Sequence, residues 1–330
     1  MTDTVLVTGG AGYIGSHVCK ALSKAGFTPI TYDNLSRGHI WAVKWGPFEE
    51  GDICDARRLS EVMAKHRPIA VMHFAAYCYV GESVTEPALY YLTNVGGTLS
   101  LLEAMRRAEI RRFVFSSTCA TYGIPKAVPI SENHPQDPTS PYGASKLMVE
   151  RVLRDFGTAY NLAWTALRYF NAAGADPECE IGEAHAPETH LIPLAIHATG
   201  AGQEPITVFG NDYATADGTA IRDYIHVTDL AGAHVAALKH LLSGGGSLAL
   251  NLGTGRGHSV LEVIAAVERV CGRKVPLSYG PKRPGDSPVM VADATKARSV
   301  LGWRPDFPEL EAVVQTAWRW HSRLLTDRIE

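Results

Sequence analysis

The chain has 330 residues, 46% hydrophobic and 20% charged, with a formal net charge of −3. That balance fits a globular protein with one large core or two. The absence of a basic run argues against nucleic acid or an anionic membrane surface as a partner. No apolar stretch approaches the roughly 18 residues that span a bilayer, and the opening MTDTVLVTGG lacks a leader's basic and long apolar regions, so neither membrane anchor nor secretion is expected.

In chain order, strand-like apolar runs fall at TVLVTG (4–9), FTPITYD (27–33), IAVMHFA (69–75), RRFVFSS (111–117) and LAWTALRYF (162–170). Amphipathic stretches lie between them, near 14–25, 56–66, 87–107 and 142–160. Strands alternating with helices at this spacing predict an α/β fold, a doubly wound parallel sheet of Rossmann type covered by helices on both faces. After Asn171 the pattern changes: residues 172–190 and 200–222 are rich in Gly, Pro, Asp and Thr and read as long loops around a helix starting near Leu191. Loops that long usually serve a site. Residues 222–242 return to a helix, and SLALNLG (247–253) reads as one more buried strand. The expected division is a dinucleotide-binding domain over 1–171, with a returning segment near 222–253, and a smaller α+β substrate domain over 172–330.

Directly after the first strand comes TGGAGYIGSH (8–17), with glycines at 9, 10, 12 and 15. Glycines there permit a tight turn and let backbone N–H groups at a helix N-terminus approach a pyrophosphate. Asp33 closes the second strand 18 residues beyond Gly15, where a carboxylate can accept from a ribose 2′-hydroxyl and would repel a 2′-phosphate. NAD is therefore expected in preference to NADP.

Two tyrosines have a lysine four positions later: Tyr122 with Lys126 in YGIPK, and Tyr142 with Lys146 in PYGASK. Glycine and proline inside the first spacing break helical register, so that pair reads as a loop coincidence. Ser140-Pro141 is a helix-start signal, and the residues after it keep helical period, which puts Tyr142 and Lys146 one turn apart on one face. A phenol with pKa near 10 is a poor base at neutral pH, and a neighbouring ammonium favours its phenolate. Such a pair suits proton transfer at a sugar or alcohol hydroxyl during hydride transfer to a nicotinamide. Upstream, RRFVFSSTCATYG (111–123) ends a strand in Ser116, Ser117 and Thr118. The Thr118 hydroxyl could hold a substrate oxygen against the phenol; any of the three could instead only tie off the strand.

The six cysteines (19, 54, 78, 119, 179 and 271) form no C-x-x-C pair, which points to reduced thiols and a cytoplasmic protein. The 13 histidines include no H-E-x-x-H. The closest His/acid grouping, Glu183, His185, Glu188 and His190, lies in a loop-like acidic stretch, and no metal is expected.

The glycine loop with Asp33, the Ser/Thr cluster and Tyr-x-x-x-Lys resemble the extended short-chain dehydrogenase/reductase family. GGAGYIGSH, HFAAYCYVGESV, VFSSTCATYG, SPYGASK, LRYFNAAGAD, DGTAIRDYIHVTDLA, LNLGTG and RPGD follow one another as in its nucleotide-sugar 4-epimerase branch. This resemblance, over essentially the whole chain, implies interconversion of UDP-glucose and UDP-galactose at C4 through a transient 4-keto sugar, with tightly held NAD. UDP-pentoses or UDP-N-acetylhexosamines are alternative substrates. A 4,6-dehydratase would carry an acidic pair after Thr118, where this chain has Cys119-Ala120-Thr121.

The resemblance makes Tyr142 the acid/base, Lys146 its electrostatic partner and a ribose contact, and Thr118 the ligand of the sugar O4. It assigns Gly9, Gly12, Tyr13, Ile14 and Gly15 to the pyrophosphate, Asp33 and Asn34 to the adenosine, and Asp52 and Ile53 to the adenine. Phe74, Ala75, Ala76, Asn94, Ser116 and Tyr169 would complete the cofactor site. Phe170, Asn171 and Leu191 would face the sugar nucleotide, Arg222 and Arg283 its diphosphate, and Phe209, Tyr224 and Asp286 its uridine. Cys78 and His190 depart from the family pattern, which has Lys and Asn there. Met290 falls where side-chain bulk gates N-acetylated sugars. A homodimer through the helices containing 87–107 and 142–160 is implied by the resemblance alone.

Overall fold

Seven strands of the computed structural model form one wholly parallel sheet; residues 2–200, 202–283 and 285–326 are described, leaving Pro284 of the RPGD motif outside. The strands are β1 (Thr4–Thr8), β2 (Thr28–Asp33), β3 (Phe48–Glu50), β4 (Ala70–His73), β5 (Arg112–Thr118), β6 (Ala163–Tyr169) and β11 (Leu248–Leu252), in the order β11-β6-β5-β4-β1-β2-β3. The order reverses between β1 and β4, and ligands bind at the carboxyl ends of strands at such a switch point. Register brings those ends level: Thr8 lies beside His73, and Thr118 beside Tyr169.

Alternation along each strand builds two cores. Val5 and Val7 pack into one and Leu6 into the other, as do Met72 against Val71 and Val114 against Phe113. Helices α1 (Tyr13–Lys24) and α8 (Val227–Leu242) cover the first face. Helices α2 (Ala56–His66), α5 (Thr98–Arg107) and α6 (Pro141–Tyr160) cover the second. Helix α6 begins as its sequence dictates: the Ser140 hydroxyl accepts from Gly143 N at 3.2 Å, Pro141 takes the first turn, and Asn161 ends the helix with φ of 55°.

Short α3 (Val80–Thr85) and α4 (Pro87–Tyr90) precede a π-helical turn, Tyr91–Gly97, inside the stretch read as one helix over 87–107. The remaining strands are small. β7 (Asn171–Ala173) pairs with β10 (Tyr224–His226), β8 (Ile206–Phe209) with β13 (Leu277–Gly280), and β9 (Ile221–Arg222) lies between β12 (His258–Ser259) and β14 (Val289–Met290). A third core gathers α7 (Leu191–Ala198), α9 (Val260–Cys271) and α11 (Leu310–Thr326). α10 (Thr295–Leu301) packs beside β11. The sequence reading let residues 222–226 run into a helix. Arg222 and Tyr224–His226 are instead in two short strands with Asp223 between them, and α8 starts at Val227, where the His226 ring accepts from Thr228 N at 3.1 Å.

One buried network fixes α6 on the sheet. Glu150, on α6, accepts from Arg168 Nε and Nη2 of β6 at 2.8 and 2.6 Å and from Ser117 Oγ of β5 at 2.7 Å. Arg168 Nη1 donates to Tyr122 Oη at 2.9 Å, and Tyr122 donates to Asn251 Oδ1 of β11 at 2.6 Å. Tyr122 is therefore a buried brace, and its distance from Lys126 in function follows from this packing. Glu150→Gln leaves the Arg168 charge without its buried partner and should cost about 3–5 kcal/mol in urea unfolding. Arg151→Ala, which breaks an exposed pair with Asp155, should cost less than about 1 kcal/mol. Equal effects of the two would contradict this assignment.

Candidate active site

A cavity of about 480 Å³ opens at the carboxyl ends of β1, β2, β4, β5 and β6. Its floor is the glycine loop. A Cβ on Gly15 would sit 2.1 Å from Gly9 O, and one on Gly9, at φ of +74°, 2.5 Å from Ala75 N. Only bare backbone allows the loop, the α1 N-terminus and the β4 end to approach this closely. Gly12 caps α1 without a side-chain hydrogen bond, and no acidic residue occupies the first turn. The first N–H groups of α1, at Tyr13, Ile14 and Gly15 on the cavity wall, are thus available to an anion.

Asp33 ends β2 nearly buried and accepts from Ala11 N at 3.0 Å and Leu35 N at 2.8 Å. Burial raises its carboxyl pKa, and these two N–H groups oppose the rise. Asn34 Nδ2 donates to Asp52 Oδ2 at 2.7 Å, joining the two residues assigned to the adenosine end. Phosphate cradle, acid and adenine-side wall lie in dinucleotide order, so the residues present fit NAD.

Tyr142, Lys146, Thr118, Ser116 and Tyr169 line the same cavity. The three strand-end hydroxyls separate cleanly. Ser117 is wholly buried on Glu150, Ser116 Oγ bonds Tyr169 Oη at 2.5 Å, and Thr118 faces the cavity beside the Tyr142 phenol. Thr118 Oγ1 already accepts from Ala120 N at 3.1 Å, which leaves its proton for a cavity partner.

The electrostatics differ from the sequence expectation. Loss of hydration pushes the Tyr142 phenol well above its ordinary value of 10, and the opposing contact is the Thr118 hydroxyl, not Lys146. Burial also pushes the Lys146 ammonium down to about 8. Its Nζ donates to Ser116 O at 3.0 Å and lies 4.9 Å from the centre of the Phe115 ring. In the protein alone, both groups of the pair are held toward their neutral forms.

At the other end of the cavity lie Phe170, Asn171, Arg222, Asp286 and Met290. Arg222 Nη2 donates to Asp286 Oδ1, so the residues assigned to diphosphate and uridine pair with each other. Ile14, Ile53, Phe74, Ala75 and Ala76 also line the wall.

Five residues assigned by resemblance stand off it. Asn94, almost fully buried in the π-turn, holds Tyr77 N and O and Ser145 Oγ at 2.9–3.1 Å and so braces the wall from behind. Leu191 and Tyr224 pack in the third core. Phe209 and Arg283 stack at 4.2 Å outside the lining.

Lining residues that the resemblance did not assign include Arg37, Glu183 and His185. Glu183, His185, Glu188 and His190, separate in a loop by sequence, converge: their donor atoms all lie within 4.8 Å of one another. The composition of the stretch was the available signal, but the chain reversal that joins its two ends was not legible.

The parallel sheet, glycine cradle and Tyr/Lys/Thr wall define a dinucleotide-dependent enzyme acting on a hydroxyl-bearing substrate. The chain belongs to the NAD dependent epimerase/dehydratase family, whose model matches residues 5–253. It is 56% identical over 321 residues to the UDP-glucose 4-epimerase of Rhizobium meliloti, covering 97% of this chain and 98% of that one. A crystal structure of UDP-glucose 4-epimerase from Brucella ovis in complex with NAD matches with a TM-score of 0.94 at 53% identity, covering 96% of this chain and 98% of that chain. The Bifidobacterium longum UDP-glucose 4-epimerase in complex with NAD+ and UDP matches at 0.93 and 38% identity, covering 97% and 98%.

The Lys146 geometry sets a pH dependence. Its folded pKa near 8 lies below the ordinary 10.5, so the unfolded chain binds more protons between those values and stability rises with pH there. In nucleotide-free protein, Lys146→Met should therefore gain most over the parent at pH 7, the gain shrinking from pH 8 to 10.5. A gain independent of pH in thermal unfolding would contradict burial of the charged amine.

Proposed function

We propose that the chain is an NAD-dependent UDP-glucose 4-epimerase, interconverting UDP-glucose and UDP-galactose. The observation that carries this reading is the placement of the Tyr142 phenol, Thr118 hydroxyl and Lys146 ammonium on the wall of the cavity whose floor is the glycine cradle. The names of the 45–56% identical bacterial relatives above and beyond those cited support it. Residues 1–171, with the returning segment 222–253, are assigned to the cofactor and 172–330 mainly to the UDP-sugar.

Bound NAD supplies a reversible hydride acceptor at C4 of the sugar. Tyr142 removes the O4 proton and later restores it, while Thr118 donates to the same oxygen and fixes its distance from the phenol. Lys146 supplies positive charge behind Tyr142, which lowers the cost of the phenolate in a site that burial makes hostile to it. Arg222, released from Asp286, pairs with the diphosphate. Binding energy spent on the nucleotide retains the 4-keto sugar while the loosely held hexose turns to present its other face. Met290 lines the cavity at the sugar end, beside Phe170 and Asn171.

Purified protein incubated with UDP-galactose and no added cofactor should form UDP-glucose, read by NMR of the sugar. Tyr142→Phe should fold and lose at least ~100-fold in turnover, whereas Tyr122→Phe should keep turnover and lose stability. A strict need for added NAD, or inactivity of the Tyr122 variant alone, would count against the reading.

The homodimer is assigned to the outer surface of α3 to α6. Leu92 is 70% exposed, Val84 62% and Met148 46%, an apolar surface that a second copy would cover. Sedimentation should give a dimer that Leu92→Glu converts to monomer; a monomeric parent would refute this assignment.

A further inference from the structure

On the cavity wall, residues 182–190 fold back so that two imidazoles and two carboxylates meet. His190 Nδ1 lies 2.7 Å from Glu183 Oε1 and 3.0 Å from Glu188 Oε1. His185 Nδ1 lies 2.9 Å from the same Glu183 oxygen and 3.9 Å from Glu188 Oε2. We infer that these four side chains form a divalent transition-metal site, with Zn²⁺ as its occupant, that fastens the loop between the glycine loop and α7.

The donor geometry carries this inference. Around a tetrahedral ion with bonds of about 2.0–2.2 Å, donor atoms sit roughly 3.3–3.5 Å apart. One ligand atom from each residue lies within 4.8 Å of the others; three of the contacts, at 2.7–3.0 Å, are hydrogen bonds, and an ion replacing the imidazole protons would open them by roughly 0.3–0.8 Å. Imidazole nitrogen excludes the hard ions Ca²⁺ and Mg²⁺, which take oxygen, and two imidazoles with two carboxylates suit Zn²⁺.

The support of the loop is the second observation. Its backbone is pinned from outside the cluster at four carbonyls: Glu183 O accepts from Trp320 Nε1 at 2.8 Å, Ala184 O bonds His39 Nε2 at 2.7 Å, and Ala186 O and Pro187 O accept from Arg37 and Tyr79 at 3.2 Å. The donors are thus held in place by contacts that do not depend on one another. The acidic trio Asp176, Glu178 and Glu180 contrasts with this, because it already holds the Lys20 ammonium at 2.6–2.8 Å.

Charge points the same way. The Glu183 and Glu188 side chains are only 4% and 9% exposed, and Glu183 lines the cavity. Two uncompensated carboxylates would repel a diphosphate there. That part rests on the proposed substrate; the donor geometry does not. Protons on the two imidazoles are the competing way to neutralise the cluster.

The two are separated by titrating untagged full-length protein, dialysed against chelator, with Co²⁺ and then Zn²⁺. One equivalent of Co²⁺ should give the intense visible bands of four-coordinate cobalt, and one equivalent of Zn²⁺ should abolish them. His185→Ala and His190→Ala should each weaken Zn²⁺ binding by more than ~10-fold, while His240→Ala, whose ring bonds Gly246 O, should not. Circular dichroism checks that the variants fold, and Glu188→Gln replaces any that does not. Absence of the bands in the parent protein, or Zn²⁺ uptake insensitive to the cluster variants, would overturn the site and leave a proton network only. Because the readout is spectroscopic, failure here would leave the epimerase reading standing.

Discussion

The structure depends on the buried ion pair between Glu150 and Arg168. Helix α6 carries Tyr142 and Lys146 over the edge of the sheet, and a helix held by apolar contacts alone can slide by fractions of a turn at modest cost. Two charge-assisted hydrogen bonds at 2.6 and 2.8 Å, between side chains buried from solvent, remove that freedom. Desolvation makes such a pair a poor source of net stability, but its geometry is demanding. It fixes the phenol relative to Thr118, which comes from β5, the strand that also supplies Ser117 to the pair. Position is the product of that interaction, and position is what proton transfer at a sugar hydroxyl requires.

The same burial creates the chemical problem the site must solve. Burial raises the Tyr142 phenol and lowers the Lys146 ammonium. The protein therefore holds the pair poised toward neutrality, and Tyr142 would be shifted toward phenolate by the positive charge that bound NAD+ would supply. Proton removal is thereby tied to the presence of a complete set of ligands.

Much of this was legible in the sequence, for physical reasons. Parallel strands buried on both faces read as apolar runs, and all six that periodicity marked, from TVLVTG to SLALNLG, are present within two residues of their expected ends. The proline in YGIPK removed one Tyr/Lys pair, and the packing of Tyr122 under Arg168 shows where that tyrosine belongs. Three-residue β3 and the π-turn at 91–97 escaped notice because neither is long enough to impose a period. The roles of Glu150 and of the Glu183–His190 loop were hidden for another reason. Their partners lie on other elements or across a chain reversal, and spacing along the sequence does not encode which side chains a loop brings face to face. The net shift of the Tyr142 phenol was hidden likewise, since one-turn adjacency to a lysine says nothing about how much water the pair has lost.

The central claim is that the hydrogen at C4 leaves the sugar and returns to the same carbon while Tyr142 handles only the O4 proton. Incubation with UDP-galactose carrying deuterium at C4, followed by mass and NMR analysis of the UDP-glucose formed, tests it most directly. Deuterium retained at C4 of the product is the expected result. Its replacement by solvent hydrogen would contradict the account.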